Sequence, residues 1–123
     1  MGKLRVLIAD DEEGVRESLR LILSVDHEIL SVPDGEQAME AVNRQGPFDL
    51  ILLDIKMPKR DGLDVLRQVK AKGLSTPIVM LTAYQSVEMA REAVKLGASD
   101  YVIKPFSREQ VLSAVRGALS AHS

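Results

Sequence analysis

The sequence of 123 residues contains no cysteine, no excess of basic residues and no long apolar run. Without cysteine there can be no disulfide, thiolate metal site or cysteine nucleophile, and a reducing, cytoplasmic location is expected. The 16 basic and 18 acidic residues give a net charge of −2, which offers no bulk positive charge for nucleic acid. No segment approaches the ~20 apolar residues of a membrane span, and no secretory leader opens the chain. We therefore expect one soluble domain over residues 1–123 that binds neither nucleic acid nor membrane.

One stretch in the middle of the chain combines a buried strand with a carboxylate. Four large apolar residues, 50–53, run directly into Asp54, and Pro58 follows four residues later. A short apolar run bounded by polar and turn residues predicts a strand buried on both faces. Asp54 would then lie at the carboxyl end of that strand, where open α/β sheets build their sites. Taken alone, the pattern also fits an aspartate that caps a loop.

Apolar runs alternate with helical periodicity along the whole chain. Strands are predicted over 4–9, 28–32, the run that ends at Asp54, 77–81 and 100–103. The apolar residues between and after these runs recur at helical spacing, which predicts five helices. In the fourth helix the predicted inward stripe is Val87, Ala90, Ala93 and Val94. Strands that alternate with helices predict an α/β fold with a parallel sheet covered on both faces. The flavodoxin-like, doubly wound (βα)5 order 2-1-3-4-5 is the natural assignment, although periodicity alone does not decide the order.

In that strand order the carboxyl ends of strands one, three, four and five surround one crevice. They carry Asp10, Asp11, Asp54, Thr82 and Lys104. Carboxylates ~4 Å apart repel by about 4 kcal/mol per pair at an effective dielectric near 20, so a positive group must lie among them. Mg²⁺, which prefers oxygen ligands, meets this need, and Lys104 adds a second positive charge. Carboxylate, metal, lysine and the Thr82 hydroxyl together suit phosphoryl transfer to a carboxylate nucleophile.

With these residues in place, the sequence resembles a two-component response regulator receiver domain over nearly its whole length. The resemblance rests on Asp10-Asp11, on Asp54 within Leu-Leu-Asp-Ile-Lys-Met-Pro, on Asp61-Gly62, on Thr82-Ala83 and on Lys104-Pro105-Phe106. Each motif occurs at the element where that family places it. The resemblance therefore implies a signalling switch of the CheY-like kind.

The same resemblance implies roles for individual residues. Asp54 would accept a phosphoryl group from the phosphohistidine of a sensor histidine kinase or a histidine phosphotransfer protein. Asp10, Asp11, Asp54 and the backbone carbonyl of Lys56 would hold Mg²⁺. Lys104 would pair with the phosphoryl oxygens. The domain would catalyse only its own phosphorylation and slow dephosphorylation, and in that sense would not be an enzyme.

The resemblance also implies a switch between Thr82 and Tyr101. The Thr82 hydroxyl would move to the phosphoryl group, and Tyr101 would rotate inward. Helix four, strand five and helix five would then change as one face and signal to a downstream output domain or effector protein. A homodimer through that face is a further arrangement that the family implies. Lys56 and Tyr84 occupy positions that tune the lifetime of the acyl phosphate in the family.

Simpler interpretations exist for each motif taken alone. Residues 10–13 could be the solvated acidic start of a helix, and their last two, Glu12 and Glu13, have no assigned role. His27 and His122 lie away from the acidic motifs in sequence and are expected to face solvent.

Two other classes of protein were weighed against the receiver domain. A phosphatase of the haloacid-dehalogenase type would need an aspartate where Lys56 stands, and a flavodoxin-like FMN carrier would need a hydroxyl-rich loop where residues 10–13 are acidic. Either a free-standing adaptor or the input domain of a longer regulator fits the sequence. Gln110 stands where winged-helix regulators with charged dimer faces carry an acid, so a regulator of ATPase-type activators fits slightly better by resemblance.

Overall fold

The computed structural model describes residues 2–121, and within them five strands alternate with five α-helices. The strands β1 to β5 are Leu4–Ala9, His27–Val32, Leu50–Asp54, Ile78–Ala83 and Asp100–Lys104. The helices α1 to α5 are Glu13–Leu23, Gly35–Gln45, Gly62–Ala71, Val87–Lys95 and Arg108–Ser120. A single 3-10 turn, Tyr84–Ser86, leads into α4. No helix of residues 2–121 is long and apolar enough to cross a membrane.

The five strands form one parallel sheet in the order β2-β1-β3-β4-β5. This confirms the predicted fold and strand order. The central strand, β3, is buried at every position from Leu50 to Asp54, as its uninterrupted apolar sequence requires when helices cover both faces. The carboxylate of Asp54 is consequently fixed at the end of a rigid, fully packed strand.

Two apolar clusters fill the spaces on either side of the sheet. In β3, Ile51 and Leu53 belong to the cluster under α2, α3 and α4, whereas Leu50 and Leu52 belong to the cluster under α1 and α5. This alternation follows from the two-residue period of a strand.

The sequence prediction was wrong about one residue of α4. Val94 was expected on the buried stripe, but it is 40% exposed. The buried stripe of α4 runs through Ala90 and Ala93, and Met89 packs against the core beside them. Val94 therefore lies outside the buried face of α4.

Local sequence signals set the ends of the helices. The Asp34 side chain accepts a hydrogen bond from Gln37 N at 2.8 Å and caps α2, and Asp61 caps α3 in the same way. Gly73 and Gly97 follow α3 and α4 with φ of 77° and 116°, a backbone conformation that favours glycine at helix ends. Asp61 lies between β3 and α3, so its cap also fixes the exit of the loop that follows Asp54.

Burial of β3 predicts a large loss of stability for Leu52→Ala. Leu52 is 1% exposed, and removing such a side chain leaves a cavity that typically costs about 2–5 kcal/mol. The matched control is Leu21→Ala, at a position 74% exposed, which should change the free energy of unfolding by less than about 0.5 kcal/mol. Urea denaturation measures both, and equal losses for the two variants would contradict the described core.

Candidate functional site

The side chains that the sequence places at strand ends lie together at one edge of the sheet. Asp10 directly follows β1, Asp54 is the last residue of β3, and Lys104 is the last residue of β5. Thr82 lies in β4, between these last two strands. Because these four strands are parallel neighbours, their carboxyl ends meet at the same edge.

A cavity of about 240 Å³ opens at this edge. It is lined by Asp11, Glu12, Asp54, Ile55, Lys56, Thr82, Ala83, Gln85, Ser86 and Lys104. Of the predicted site residues, Asp10 and Tyr101 are outside this lining. Asp10 is fully buried and is joined to the cavity through its contact with Lys104.

Asp10 is a buried carboxylate that is only partly satisfied. Its Oδ1 accepts a hydrogen bond from Glu12 N at 2.9 Å. Its Oδ2 has no hydrogen-bond partner among residues 2–121, although Lys104 Nζ lies 2.7 Å away. Burial raises the pKa of Asp10 above its ordinary value, and the contact with Lys104 opposes that rise. Because the ammonium of Lys104 also faces Glu12 and Asp54, the buried carboxylate of Asp10 could accept a further positive ligand.

Lys104 is the ammonium that three carboxylates share. Its Nζ lies 2.7 Å from Asp10 Oδ2, 3.2 Å from Glu12 Oε1 and 3.5 Å from Asp54 Oδ1. Burial opposes the charged form, but the contact with Asp10 and the nearby charges outweigh it, so the pKa of Lys104 lies above its ordinary value. Lys104 therefore stays protonated at neutral pH, and its single positive charge is shared among the carboxyl groups of Asp10, Glu12 and Asp54.

Asp54 has the most perturbed acidity of the site. Its pKa is raised from 3.8 to about 7 overall, with burial as the largest cause, the charge of Asp10 acting in the same direction and Lys104 opposing both. The side chain of Asp11 raises the pKa further. Without an added cation, Asp54 is thus half-protonated near neutral pH. A second positive charge in the cavity would favour the ionised, nucleophilic form.

The donor atoms at this edge fit a hard divalent cation. Carboxylate oxygens of Asp10, Asp11 and Glu12 lie within 4.8 Å of one another, and Asp54 lines the same cavity as Asp11. Carboxylate, carbonyl and water oxygens suit Mg²⁺. The sharing of the Lys104 ammonium among the carboxyl groups of Asp10, Glu12 and Asp54 is the observation that favours a further cation here.

Comparisons with known proteins place this site in a family. The family model described as "Response regulator receiver domain" matches residues 6–116. The chain belongs to the response regulator receiver domain family. It is therefore a signalling module of two-component systems, as the sequence motifs predicted.

Individual relatives agree with the assignment. The chain is 42% identical over 117 residues to the response regulator MprA of Mycobacterium leprae, covering 94% of this chain and 51% of that protein. The receiver domain of NtrX from Brucella abortus superposes with a TM-score of 0.87 at 32% identity, over 94% of this chain and 98% of that one. The chemotaxis response regulator CheY4 of Vibrio cholerae gives 0.87 at 29% identity, over 96% and 100%. The chain spans about half the length of the curated relatives it matches.

The two residues predicted to form the switch of this receiver domain are both partly or fully enclosed. Thr82 is 1% exposed, and its hydroxyl donates to Ala83 O at 3.0 Å. Tyr101 is half-buried and packs against the cluster under α2, α3 and α4. Tyr84, by contrast, is 73% exposed and lies outside the cavity lining.

Glu12 is a site residue of the receiver domain to which the sequence assigned no role. Its carboxylate contacts Lys104 at 3.2 Å and contributes to the acidic group with Asp10 and Asp11. Its position directly after two aspartates was the available signal, but the same position suits an acidic helix start. Glu13 is exposed, as expected.

Both histidines were expected to face solvent. His27 is partly buried, and its Nδ1 lies 3.0 Å from Leu23 O, so the expectation that it faces solvent was only partly right. His122 lies outside the described residues.

The raised pKa of Asp54 predicts a specific pH dependence in the metal-free receiver domain. The folded chain keeps the Asp54 proton up to about pH 7, whereas the unfolded chain releases it near pH ~4. The folded state binds more protons between these values, so the free energy of unfolding contributed by Asp54 falls as pH rises. Asp54→Asn removes the titration and should become progressively more stable than wild type over that range.

Urea denaturation in EDTA at a series of pH values measures this effect. Asp26→Asn, at an exposed position, is the matched control and should follow wild type throughout. A difference between Asp54→Asn and wild type that stays constant with pH would show that Asp54 ionises normally in the folded chain.

Proposed function

We propose that Asp54 of this receiver domain accepts a phosphoryl group, in an Mg²⁺-dependent reaction, from the phosphohistidine of a sensor histidine kinase or a histidine phosphotransfer protein. The observation that carries the proposal is the pairing of Asp54 with Lys104. The Asp54 carboxylate lies at the wall of the cavity with Lys104 Nζ 3.5 Å away. A nucleophile and a fixed positive charge are thereby available to one incoming phosphoryl group.

The reaction needs few groups from the chain. An oxygen of Asp54 attacks phosphorus, the P–N bond of the phosphohistidine breaks, and the imidazole nitrogen leaves with the bonding electron pair. Lys104 lies close enough to neutralise charge on the phosphoryl oxygens. Slow dephosphorylation is the attack of water on the same phosphorus, which restores the Asp54 carboxylate. In this proposal the module catalyses only these two reactions on itself.

Asp10, Asp11, Asp54 and the backbone carbonyl of Lys56 would hold the Mg²⁺. When bound, Mg²⁺ supplies positive charge that favours ionised carboxylates and offsets the charge of phosphoryl oxygens. The buried carboxylate of Asp10 supports this assignment, because the Lys104 ammonium beside it is shared with Glu12 and Asp54. So does the presence of Lys56 in the cavity lining.

The output part of the proposal rests on Thr82 and Tyr101. The Thr82 hydroxyl now donates to Ala83 O, and a phosphoryl group on Asp54 would offer it stronger, charged acceptors. Its movement would leave space for the half-buried ring of Tyr101. The face formed by α4, β5 and α5 would change with it. A local change of charge at Asp54 would in this way alter a surface that a partner could bind.

The partners follow from this proposed cycle. A histidine kinase or phosphotransfer protein would supply the phosphoryl group, and an output domain or effector protein would bind the α4, β5 and α5 face. A homodimer through the same face is a further form of output. That curated relatives are about twice as long supports an attached output domain in the natural protein. A cytoplasmic location completes the proposal.

Phosphorylation by a small donor tests the proposed acceptor. Incubation with acetyl phosphate and Mg²⁺ should add one phosphoryl mass to the wild-type chain, and Asp54→Asn should abolish the addition because the nucleophile is lost. Asp61→Asn is the control, since Asn also caps helices well and Asp61 is exposed at the start of α3. Intact-protein mass spectrometry gives the result, and equal labelling of Asp54→Asn and wild type would rule out Asp54.

The proposed switch has a separate spectroscopic test. Beryllofluoride with Mg²⁺ mimics the acyl phosphate and should shift amide resonances from Thr82 to Ile103 as well as those near Asp54. Asp54→Asn should show neither set of shifts. Changes confined to the neighbourhood of Asp54 in the wild-type spectrum would mean that Thr82 and Tyr101 do not act as the switch.

A further inference from the structure

The loop between β3 and α3, residues 55–61, contains a strained backbone position. Lys59 has φ of 71° and is the one non-glycine residue with positive φ in the part of the chain that the structure describes. A long side chain is uncommon in this conformation, and such strain persists where surrounding contacts determine it. The loop begins one residue after Asp54 and contains Lys56, so its conformation bears directly on the site.

The start of α2 supplies a charged contact to this position. Lys59 Nζ lies 3.7 Å from Asp34 Oδ2. Asp34 is only 5% exposed, and its other oxygen is held by Gln37 N at 2.8 Å. The carboxylate is therefore a fixed anchor, and the mobile partner is the lysine of the loop.

A second contact joins the two segments through the backbone. A Cβ atom at Gly35 would overlap the carbonyl oxygen of Arg60, so α2 and the loop approach as closely as a glycine allows. Arg60 N donates to Pro58 O at 2.8 Å, and the Arg60 guanidinium contacts Glu36 Oε1 at 3.3 Å. Arg60 is thus held at its amide and its side chain, and its carbonyl lies against Gly35.

The far end of the loop is fixed to β3. Gly62 N donates to Ile55 O at 2.7 Å, and a Cβ at Gly62 would overlap the carbonyl oxygen of Asp54. The loop therefore returns to the strand it left. The middle of the loop contacts the start of α2 through Asp34, Gly35 and Glu36, and Arg60 also pairs with Asp64 of α3 at 3.5 Å.

We propose that Asp34 and Gly35 are positioning residues for the phosphorylation site, because they hold the β3–α3 loop in the strained conformation that places Lys56, whose carbonyl is a proposed ligand of Mg²⁺, in the lining of the cavity. Neither residue lines the cavity, so both act through the loop. The inference rests on the proposed function, in which that carbonyl is a ligand of Mg²⁺. The physical basis is pre-organisation, since a ligand that is already in place loses little conformational entropy when the cation binds.

Gly35→Ala tests the close approach directly, because the new methyl group must push the loop and α2 apart. Isothermal titration of the 123-residue chain should give an Mg²⁺ affinity about tenfold weaker than wild type, the usual scale for losing an outer support of a metal site. Hydrogen exchange should also speed up at the Arg60 amide while the amides of β3 stay protected. Gly117→Ala in α5, where a Cβ meets nothing within 4 Å, is the matched control and should leave both measurements unchanged.

Lys59→Gln is the second variant and decides the question if Gly35→Ala does not fold. It keeps the length of the side chain but removes the charge facing Asp34, and it should weaken Mg²⁺ binding by about threefold. Lys72→Gln removes one charge from the exposed far end of α3 and should have no effect.

Three results would overturn the inference. A folded Gly35→Ala chain with wild-type Mg²⁺ affinity and wild-type exchange at Arg60 would contradict it, as would equal affinities for Lys59→Gln and Lys72→Gln. In both cases the proposed function would stand, because wild type still binds Mg²⁺. A wild-type chain that binds no Mg²⁺ would contradict the proposed function and the inference together.

Discussion

The site depends on an imbalance of charge at the carboxyl edge of a parallel sheet. The ammonium of Lys104 lies within 3.5 Å of carboxylates from Asp10, Glu12 and Asp54, and one positive charge cannot neutralise all three. Burial and then the charge of Asp10 raise the pKa of Asp54 to about 7 against the opposing charge of Lys104, so without another cation Asp54 is partly protonated near neutral pH. A divalent cation bound there would replace that proton and leave Asp54 ionised. The same imbalance would then account for both the proposed metal requirement and the proposed nucleophile.

The fold holds these charged groups in fixed positions. Strand β3 is buried along its whole length, with apolar clusters on both sides, so Asp54 cannot move away from its neighbours. Asp10 is equally fixed by full burial at the end of β1. Mobility is expected elsewhere, at Thr82 and Tyr101, where a hydroxyl has only a weak local partner and a ring is half enclosed. Fixed carboxylates beside side chains that can move would suit the proposed phosphorylation switch.

Much of this could be predicted from the sequence, for identifiable reasons. Apolar runs that end in Asp54 and Lys104 mark strand ends, and parallel topology then brings those ends together. The contact of Glu12 with Lys104 was not predicted, because an acidic residue directly after two aspartates equally suits the start of a helix. The positive φ of Lys59 was equally hidden, since lysine carries no preference for that conformation. The exposure of Val94 was missed because helical spacing groups it with Ala90, whereas the buried face of α4 runs through Ala90 and Ala93 with Met89 packed against the core.

The most direct test of the account is to locate the phosphoryl group chemically in the wild-type chain. After phosphorylation with a small donor and Mg²⁺, borohydride reduces an aspartyl phosphate to homoserine, and peptide mass spectrometry identifies the converted position. The account predicts conversion at Asp54 alone, with Asp10, Asp11 and Asp61 recovered as aspartate. Conversion at any of those three, or phosphorylated chain without conversion at Asp54, would contradict it.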